Sequence, residues 1–325
     1  MSLVSIVLPA YNEENEILSA LHDLDSQTYQ DKEIIVVDDG STDSTASLAE
    51  SFAARNDHTK VIRAKHAGPS AARNLGIKFS SGDVIFFGEC DCSYDSRYVE
   101  RAMNALRANP EAGAVCLTGA PLKVRSNLVT NSIELENLAQ HTLLKLGRIK
   151  PFYAWVYRRN VLHKTGGFDE SLFQAEDRDL FFRVTSAGYR VVLVPGVNWW
   201  HKRSQGVKEF VASSFRRGKN RIEYILKHDL FVELIRSVAP LWMFLLGIIL
   251  LPFYSTYGTS IIFIDIALFL FRAYRTEKLT AGLVPRIRTY FEYPLFVMLR
   301  NFSTALGYTV GLLLIPIRGI RRSSI

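Results

Sequence analysis

The sequence predicts an α/β fold, a mostly parallel sheet with helices on both faces, followed by a basic and strongly apolar tail. Three observations carry that reading. Short continuous apolar runs alternate with helical segments through the first half, the pattern of strands buried on both faces. The turns that follow those runs are polar. Charge is also split along the chain. Residues 1–199 hold 21 Lys and Arg against 25 Asp and Glu (−4), and residues 200–325 hold 18 against 7 (+11), within a net +7. At 48% hydrophobic and 22% charged residues, disorder, collagen and coiled coil are excluded. A basic back half that also carries the long apolar runs suits a membrane surface rather than nucleic acid. Three cysteines are too few for a disulfide framework, which points to a reducing compartment.

Leu3–Pro9 is the first buried strand, with no basic leader before it, so the N-terminal half is expected in the cytosol. A helix is expected from Asn12 or Glu13 to about Gln27. Glu33–Val37 is the second strand, and Ser41 or Thr42 caps a helix to about Ala54. Lys60–Ala64 is the third strand, Gly68–Lys78 a helix with Pro69 in its first turn, and Asp83–Phe87 the fourth strand. Ligands of such sheets bind beyond the carboxyl ends of the strands. The turns there are 11–14, 38–43, 66–70 and 88–95. Further on, Gly166–Asp169 is a turn, Glu176 to Ala187 a helix, and Tyr189–Val194 a strand.

Val207–His228 is a basic amphipathic helix suited to a membrane interface. Ser237 to Ile264 then runs 28 positions without a charge, and Asn301–Ile317 another 17. A full span takes about 20 residues. We expect a membrane hairpin (about 238–254 and 259–272) divided at Ser255–Gly258, and a third short or tilted segment (about 296–317). Whether that third segment spans or is re-entrant stays open, because all the flanking segments are basic and favour the cytoplasm. Asp265 interrupts the second leg. The expected organisation is a catalytic domain over 1–205, an interfacial region over 206–236 and membrane segments over 237–325.

Five motifs carry the chemistry: Pro9-Ala10-Tyr11-Asn12-Glu13, Val37-Asp38-Asp39-Gly40-Ser41-Thr42-Asp43, Gly68-Pro69-Ser70-Ala71-Ala72-Arg73-Asn74, Gly166-Gly167-Phe168-Asp169-Glu170 and Glu176-Asp177-Arg178-Asp179-Leu180. In this order they resemble the family 2 glycosyltransferases of the GT-A fold, over about residues 1–220. The resemblance implies a nucleotide-diphosphate sugar as donor, UDP-linked first, with GDP and dTDP open. Tyr11 can pack against the base, Asp39 can accept from a ring N–H, and Glu13 can take ribose hydroxyls; Pro9 belongs to the same donor site. Asp43 suits a helix N-terminus. Arg73 either opposes the diphosphate or holds Asp39 through a bidentate pair.

The family places an Asp-x-Asp after the fourth strand, and here Glu89-Cys90-Asp91 stands in its place. By that resemblance Asp91 is a direct ligand of Mn2+ or Mg2+, which suit hard oxygen donors and a diphosphate. Glu89 reaches the ribose or a metal-bound water. His201 is a candidate further ligand, and Cys90 and Cys92 read as packing residues. Asp177 is the implied general base with Glu176 in support, and one displacement by one base implies inversion.

The Gln-x-x-Arg-Trp motif of processive members is absent from 213–217, which favours transfer of one sugar. Arg216 and Arg217, with Lys219 and Arg221, can bind the phosphate of a lipid acceptor or anionic headgroups, or act only as topology determinants. The expected activity is metal-dependent, inverting transfer to a lipid-linked saccharide at the cytosolic membrane face, in surface polysaccharide or glycan assembly. The alternatives are a polyprenyl-phosphate sugar synthase and, in a different class, a catalytically weak scaffold that binds nucleotide sugar. No Gly-x-Gly-x-x-Gly follows the first strand, which excludes a dinucleotide-dependent oxidoreductase.

Overall fold

The computed structural model describes residues 2–118, 129, 132–133, 139–140, 142–144, 146–148, 151, 153–196, 199–201, 206–279 and 293–322. The chain divides into two compact units, Met1–Pro121 with Leu143–Arg203, and Leu122–Thr142 with Ser204–Ile325.

In the first unit a seven-stranded sheet is built from β1 (Val4–Ala10), β2 (Lys32–Asp38), β3 (Thr59–Arg63), β4 (Val84–Phe87), β6 (Ala112–Thr118), β7 (Val156–Arg158) and β8 (Arg190–Pro195). The spatial order is β3-β2-β1-β4-β7-β6-β8. Strands β1 to β4 run parallel, as does β6 with β8, while β7 is antiparallel to both β4 and β6. A two-stranded ribbon pairs β5 (Cys92–Tyr94) with β9 (Trp199–His201). The helices are α1 (Ile17–Asp25), α2 (Thr45–Ala53), α3 (Pro69–Phe79), α4 (Tyr98–Ala108), α5 (Arg159–Thr165) and α6 (Glu176–Ser186).

The period of two along β1 sends alternate residues to opposite faces. Val4, Ile6 and Leu8 pack with Ile17, Leu21 and Leu24 of α1 and with Val99 and Ala102 of α4. Val7, Ile85 and Phe87 pack with Ile77 of α3, Val161 and Leu162 of α5, and Leu180 and Val184 of α6. Each fully buried side chain of this kind contributes roughly 1.5–3 kcal/mol. The expected strands and helices are therefore present as a mostly parallel, two-face-covered sheet.

Two helix starts differ: α2 begins at Thr45 with Ser44, not Ser41 or Thr42, at its N-cap position, because Ser41 Oγ and the Thr42 N–H and hydroxyl are engaged with Asn12. The first helix begins at Ile17, not at Asn12 or Glu13. Asn12 adopts φ 53°, and the N–H groups of Asn12, Glu13 and Glu14 donate to Ser41 Oγ in the loop after β2, Thr45 Oγ1 at the start of α2 and Asp43 Oδ2 of the same loop. Those acceptors satisfy the 12–14 backbone outside a helix and tie the turn after β1 to the segment after β2.

The second unit contains α7 (Val207–Lys227), α8 (Phe231–Leu250), α9 (Ser255–Leu279) and α10 (Tyr293–Arg322). Phe210, Ser214, Gly218, Ile222 and Ile225 form the buried stripe of α7. α7 packs closely on α10: a Cβ at Gly218 would meet the Thr304 backbone, and one at Gly307 the Phe215 carbonyl. Among the described residues two helical stretches are long and apolar enough to cross a membrane, Phe231–Leu250 and Leu295–Leu314, of 20 residues each. Ser255–Leu268 is a shorter apolar stretch. The hairpin break falls at 251–254 rather than at Ser255–Gly258, which lie inside α9. Pro252 accounts for the shift, because it has no N–H to continue the α8 ladder. The side chain of Asp265 lies outside the described residues.

Candidate active site

The carboxyl ends of β1, β2 and β3 converge on one cluster. Asp39, just past β2 and 3% exposed, accepts the Ala67 N–H on Oδ1 (2.8 Å) and the Gly68 N–H on Oδ2 (2.9 Å). His66 Nδ1 stands 2.9 Å from the same Oδ2. Gly68 makes this possible, since its φ of +96° is open to glycine and strained for other residues. Tyr11, just past β1, stacks on the His66 ring at 4.2 Å and 25°. The Pro9 carbonyl accepts from the Cys90 thiol at 3.5 Å. Asp43 accepts the Thr45 N–H and hydroxyl at 3.0 and 2.5 Å, so it organises the start of α2.

Arg73 on α3 is the hub of the site. Its side chain is 6% exposed. Nη1 donates to Glu176 Oε1 at 2.8 Å, and Nη2 lies 3.8 Å from Glu89 Oε1. The guanidinium sits over the Trp155 and Phe168 rings at 5.6 and 5.3 Å. The expected alternative, a bidentate pair with Asp39, is not formed. Asp39 is already engaged by the backbone just ahead of α3, while Arg73 joins the Glu89 carboxylate that follows β4 to the α6 carboxylate Glu176. Burial raises the Glu176 carboxyl above its ordinary 4.5; Arg73 opposes the rise and Asp177 adds to it.

Glu176 and Asp177 open α6 directly after Ala175, whose φ of +64° is unusual for a residue with a Cβ. Two side chains outside the first turn bond the 165–170 segment ahead of this helix, and one of them also bonds its first turn. Asn74 Nδ2 donates to the Phe168 carbonyl (2.9 Å) and to Glu170 (2.8 Å), and Asn74 Oδ1 accepts the Phe168 N–H (2.8 Å). Arg183 bonds the fully buried Asp179 (2.8 Å) and the carbonyls of Thr165 and Gly167. Three motifs that are distant in sequence are thereby locked around one point.

After β4, an oxygen of Glu89, an oxygen of Asp91 and Sγ of Cys92 all lie within 4.8 Å of one another. The Cys92 thiol donates to Glu89 at 3.3 Å. Burial, then the charges of Glu89 and Asp91, push that thiol far above the ordinary range, so it stays protonated. The donor set is therefore two carboxylates, which fits a hard divalent cation. Cys92 was expected only to pack; it also hydrogen-bonds this cluster. In the β5–β9 ribbon His201 is the register partner of Cys92, one residue from Asp91. The His201 side chain lies outside the described residues.

Comparison with known families now applies to this geometry. The model "Glycosyl transferase family 2" matches residues 5–166, and "Glycosyl transferase family 21" matches residues 150–317. The chain belongs to the family 2 glycosyltransferases. It is 28% identical over 252 residues to "Glycosyltransferase AglE" of Haloferax volcanii, covering 75% of this chain and 80% of that protein. It is 29% identical over 259 residues to "Probable glycosyltransferase YdaM" of Bacillus subtilis, covering 70% of this chain and 61% of that one. The mannosyltransferase PcManGT from Pyrobaculum calidifontis, solved with GDP-Man and Mn2+, superposes with a TM-score of 0.62 at 18% identity. That match covers 96% of this chain and 87% of PcManGT. The sheet is thus of the GT-A type expected from the motifs.

Within this glycosyltransferase the first unit brings together Tyr11, Asp39, Arg73, Glu89, Asp91, Glu176 and Asp177 at the strand ends. The Glu13 N–H is tied to Thr45 at 2.7 Å in the loop beside them. Arg216 and Arg217 are exposed on α7 in the second unit. Three residues escaped the sequence reading. His66 is a loop residue with no motif of its own. Trp155 precedes the short antiparallel β7, which carries no periodic signal. Tyr157 is fully buried, and burial followed by the Asp177 charge raises its phenol well above the ordinary range.

Proposed function

We propose that the chain transfers one sugar from a nucleotide-diphosphate sugar to a hydroxyl of a lipid-linked saccharide, at the cytosolic face of the cell membrane and with inversion at the anomeric carbon. The observation that carries this reading is the buried Arg73 guanidinium, which ties Glu176, the neighbour of Asp177, to Glu89 on the donor side. Donor and acceptor chemistry are thereby held at one point. Tyr11 packs against the nucleobase, Asp39 accepts from a ring N–H, and Glu13 and Glu89 take ribose hydroxyls. Pro9 shapes the floor of that pocket.

Asp91, with Glu89 beside it and His201 in register with the adjacent Cys92, would hold a divalent cation, Mn2+ or Mg2+. When bound, that cation offsets negative charge on the departing diphosphate. Asp177 accepts the proton of the acceptor hydroxyl while its oxygen bonds the anomeric carbon. The bond from that carbon to the diphosphate breaks in the same displacement, and the bonding pair leaves with the diphosphate. Glu176 is held by Arg73 and fixes the position of Asp177. The strained φ at Ala175 is a further sign that α6 begins where chemistry, not local propensity, requires it.

Residues 1–205 form the catalytic part, 206–236 lie at the membrane surface, and the helices in 237–325 anchor the enzyme as a multi-pass protein. Arg216 and Arg217 face a lipid phosphate. The product then serves surface polysaccharide or glycan assembly. The test is transfer of radiolabelled sugar in membranes, followed by extraction into organic solvent. Label on lipid that is released by mild acid as a di- or oligosaccharide supports the reading. Label on bare polyprenyl phosphate alone contradicts the saccharide acceptor, and label that stays in water contradicts the lipid acceptor.

A further inference from the structure

His66 occupies an unusual position for a residue with no assigned role. Its planar ring stacks on Tyr11 at 4.2 Å and 25°. Its Nδ1 hydrogen-bonds the Asp39 main-chain carbonyl at 3.1 Å and lies 2.9 Å from Asp39 Oδ2. Two carboxylate contacts from the Ala67 and Gly68 N–H groups already orient that Asp39 side chain. Carbonyl and carboxylate oxygens only accept, so Nδ1 carries the proton at both. His66 therefore makes both contacts that the proposed function gives to a nucleobase: a ring face against Tyr11 and a ring N–H into Asp39.

The topology makes the two uses exclusive. Strand β2 lies between β3 and β1 in the sheet. Tyr11 comes from the loop after β1 and His66 from the loop after β3, so their stack bridges across the loop that carries Asp39. The imidazole covers the face of Tyr11 on which a base would stack and keeps Nδ1 2.9 Å from Asp39 Oδ2, so the two rings cannot hold that place together. The His66 side chain is 55% exposed and the Asp39 side chain 5%, so the histidine is the partner with room to leave.

We infer that His66 is a built-in stand-in for the nucleobase, and that donor binding exchanges one ring for the other. On binding, the imidazole swings out to solvent. The base takes its place on Tyr11, and the base N–H takes over Asp39 Oδ2. This inference rests on the donor-pocket reading above. It also narrows the donor class: uracil, thymine and guanine carry a ring N–H, whereas neutral adenine and cytosine do not. His66 thus lowers donor affinity by the fraction of time it fills the pocket, and if that is two thirds, removing it gains about threefold.

The experiment is calorimetric titration of the full chain in detergent with UDP and with GDP, for the wild type, His66→Ala and Tyr11→Ala. For the nucleotide that binds the wild type more tightly, His66→Ala is expected to bind at least about threefold tighter and Tyr11→Ala weaker. Side-chain imidazole NMR supplies the second readout, with the His66 signals moving toward those of a free histidine as nucleotide is added. If His66→Ala weakens binding while Tyr11→Ala also weakens it, His66 is a pocket wall and the exchange is overturned, with the pocket intact. Unchanged His66→Ala affinity with unmoved His66 signals overturns it equally. Unchanged binding in Tyr11→Ala, or no binding of either nucleotide to the wild type, overturns the donor-pocket reading itself.

Discussion

Replacing Arg73 with Met isolates the contribution of the site's central ion pair. The guanidinium is nearly buried, and so is the Glu176 carboxylate it faces at 2.8 Å, with side-chain exposures of 6% and 14%. Removing one partner of a buried pair leaves an uncompensated charge, which costs about 3–5 kcal/mol. For a protein of this size each kcal/mol shifts the melting temperature by about 2–4 °C, so the expected loss is on the order of 6–20 °C. The loss also depends on pH. Glu176 has a folded value above its ordinary 4.5, so between the two the native state binds more protons than the unfolded chain. Stability from this group is fully present below 4.5 and falls as pH rises through the folded value. Arg73 pulls that value down, so its removal pushes the value up and extends the fall toward neutrality. Thermal unfolding of Arg73→Met should therefore show a much larger deficit at pH 7.5 than at pH 5. Adding Glu176→Gln should recover part of the deficit at pH 7.5, because the uncompensated charge is gone. A deficit that is equal at both pH values, or no recovery in the double variant, would show that the Arg73–Glu176 pair does not carry this charge.

Three other outcomes follow from the same geometry. Ala175→Gly relieves a φ of +64° and should leave melting unchanged or raise it by about 1 kcal/mol equivalent, while slowing turnover if the helix start becomes less fixed; thermal unfolding and a rate measurement read both. Gly167→Ala places a Cβ 2.6 Å from Asn74 Oδ1 at a φ of +65°, and should cost about 1–3 kcal/mol, seen as a lower melting temperature with the fold retained by circular dichroism. Asp91→Ala should abolish Mn2+ binding measured by electron paramagnetic resonance of the ion, whereas Cys92→Ser should keep it, because the thiol is protonated and not a ligand.

The sequence exposed the sheet because Leu3–Pro9, Glu33–Val37 and Asp83–Phe87 are unbroken apolar runs, and a strand buried on both faces leaves that trace. It was silent on the antiparallel β7, since Val156–Arg158 has three residues and no period to read. The site residues Tyr11, Asp39, Arg73 and Glu176-Asp177 were legible as motif positions. Their partners were not. That Arg73 would choose Glu176 over Asp39 depends on the Ala67 and Gly68 N–H groups reaching Asp39 first, a contact between two loops that neither loop encodes alone. His66 escaped for the same reason, because its role arises from a stack with a residue 55 positions earlier in the chain. The α1 start was misplaced because Asn12 and Glu13 are good helix-entry residues whose N–H groups found better acceptors on Ser41 and Thr45.

On the proposed function, this site moves a sugar from a nucleotide with Asp177 as the base. The most direct measurement is nucleotide release by the full detergent-solubilised chain, with UDP-, GDP- and dTDP-sugars, Mn2+, Mg2+ or chelator, and a polyprenyl-linked acceptor extract. The account predicts metal-dependent turnover of one donor only when extract is present, lost in Asp177→Asn while nucleotide binding is retained. Undiminished turnover in Asp177→Asn, or tight donor binding by the wild type with no turnover under any condition, would contradict it.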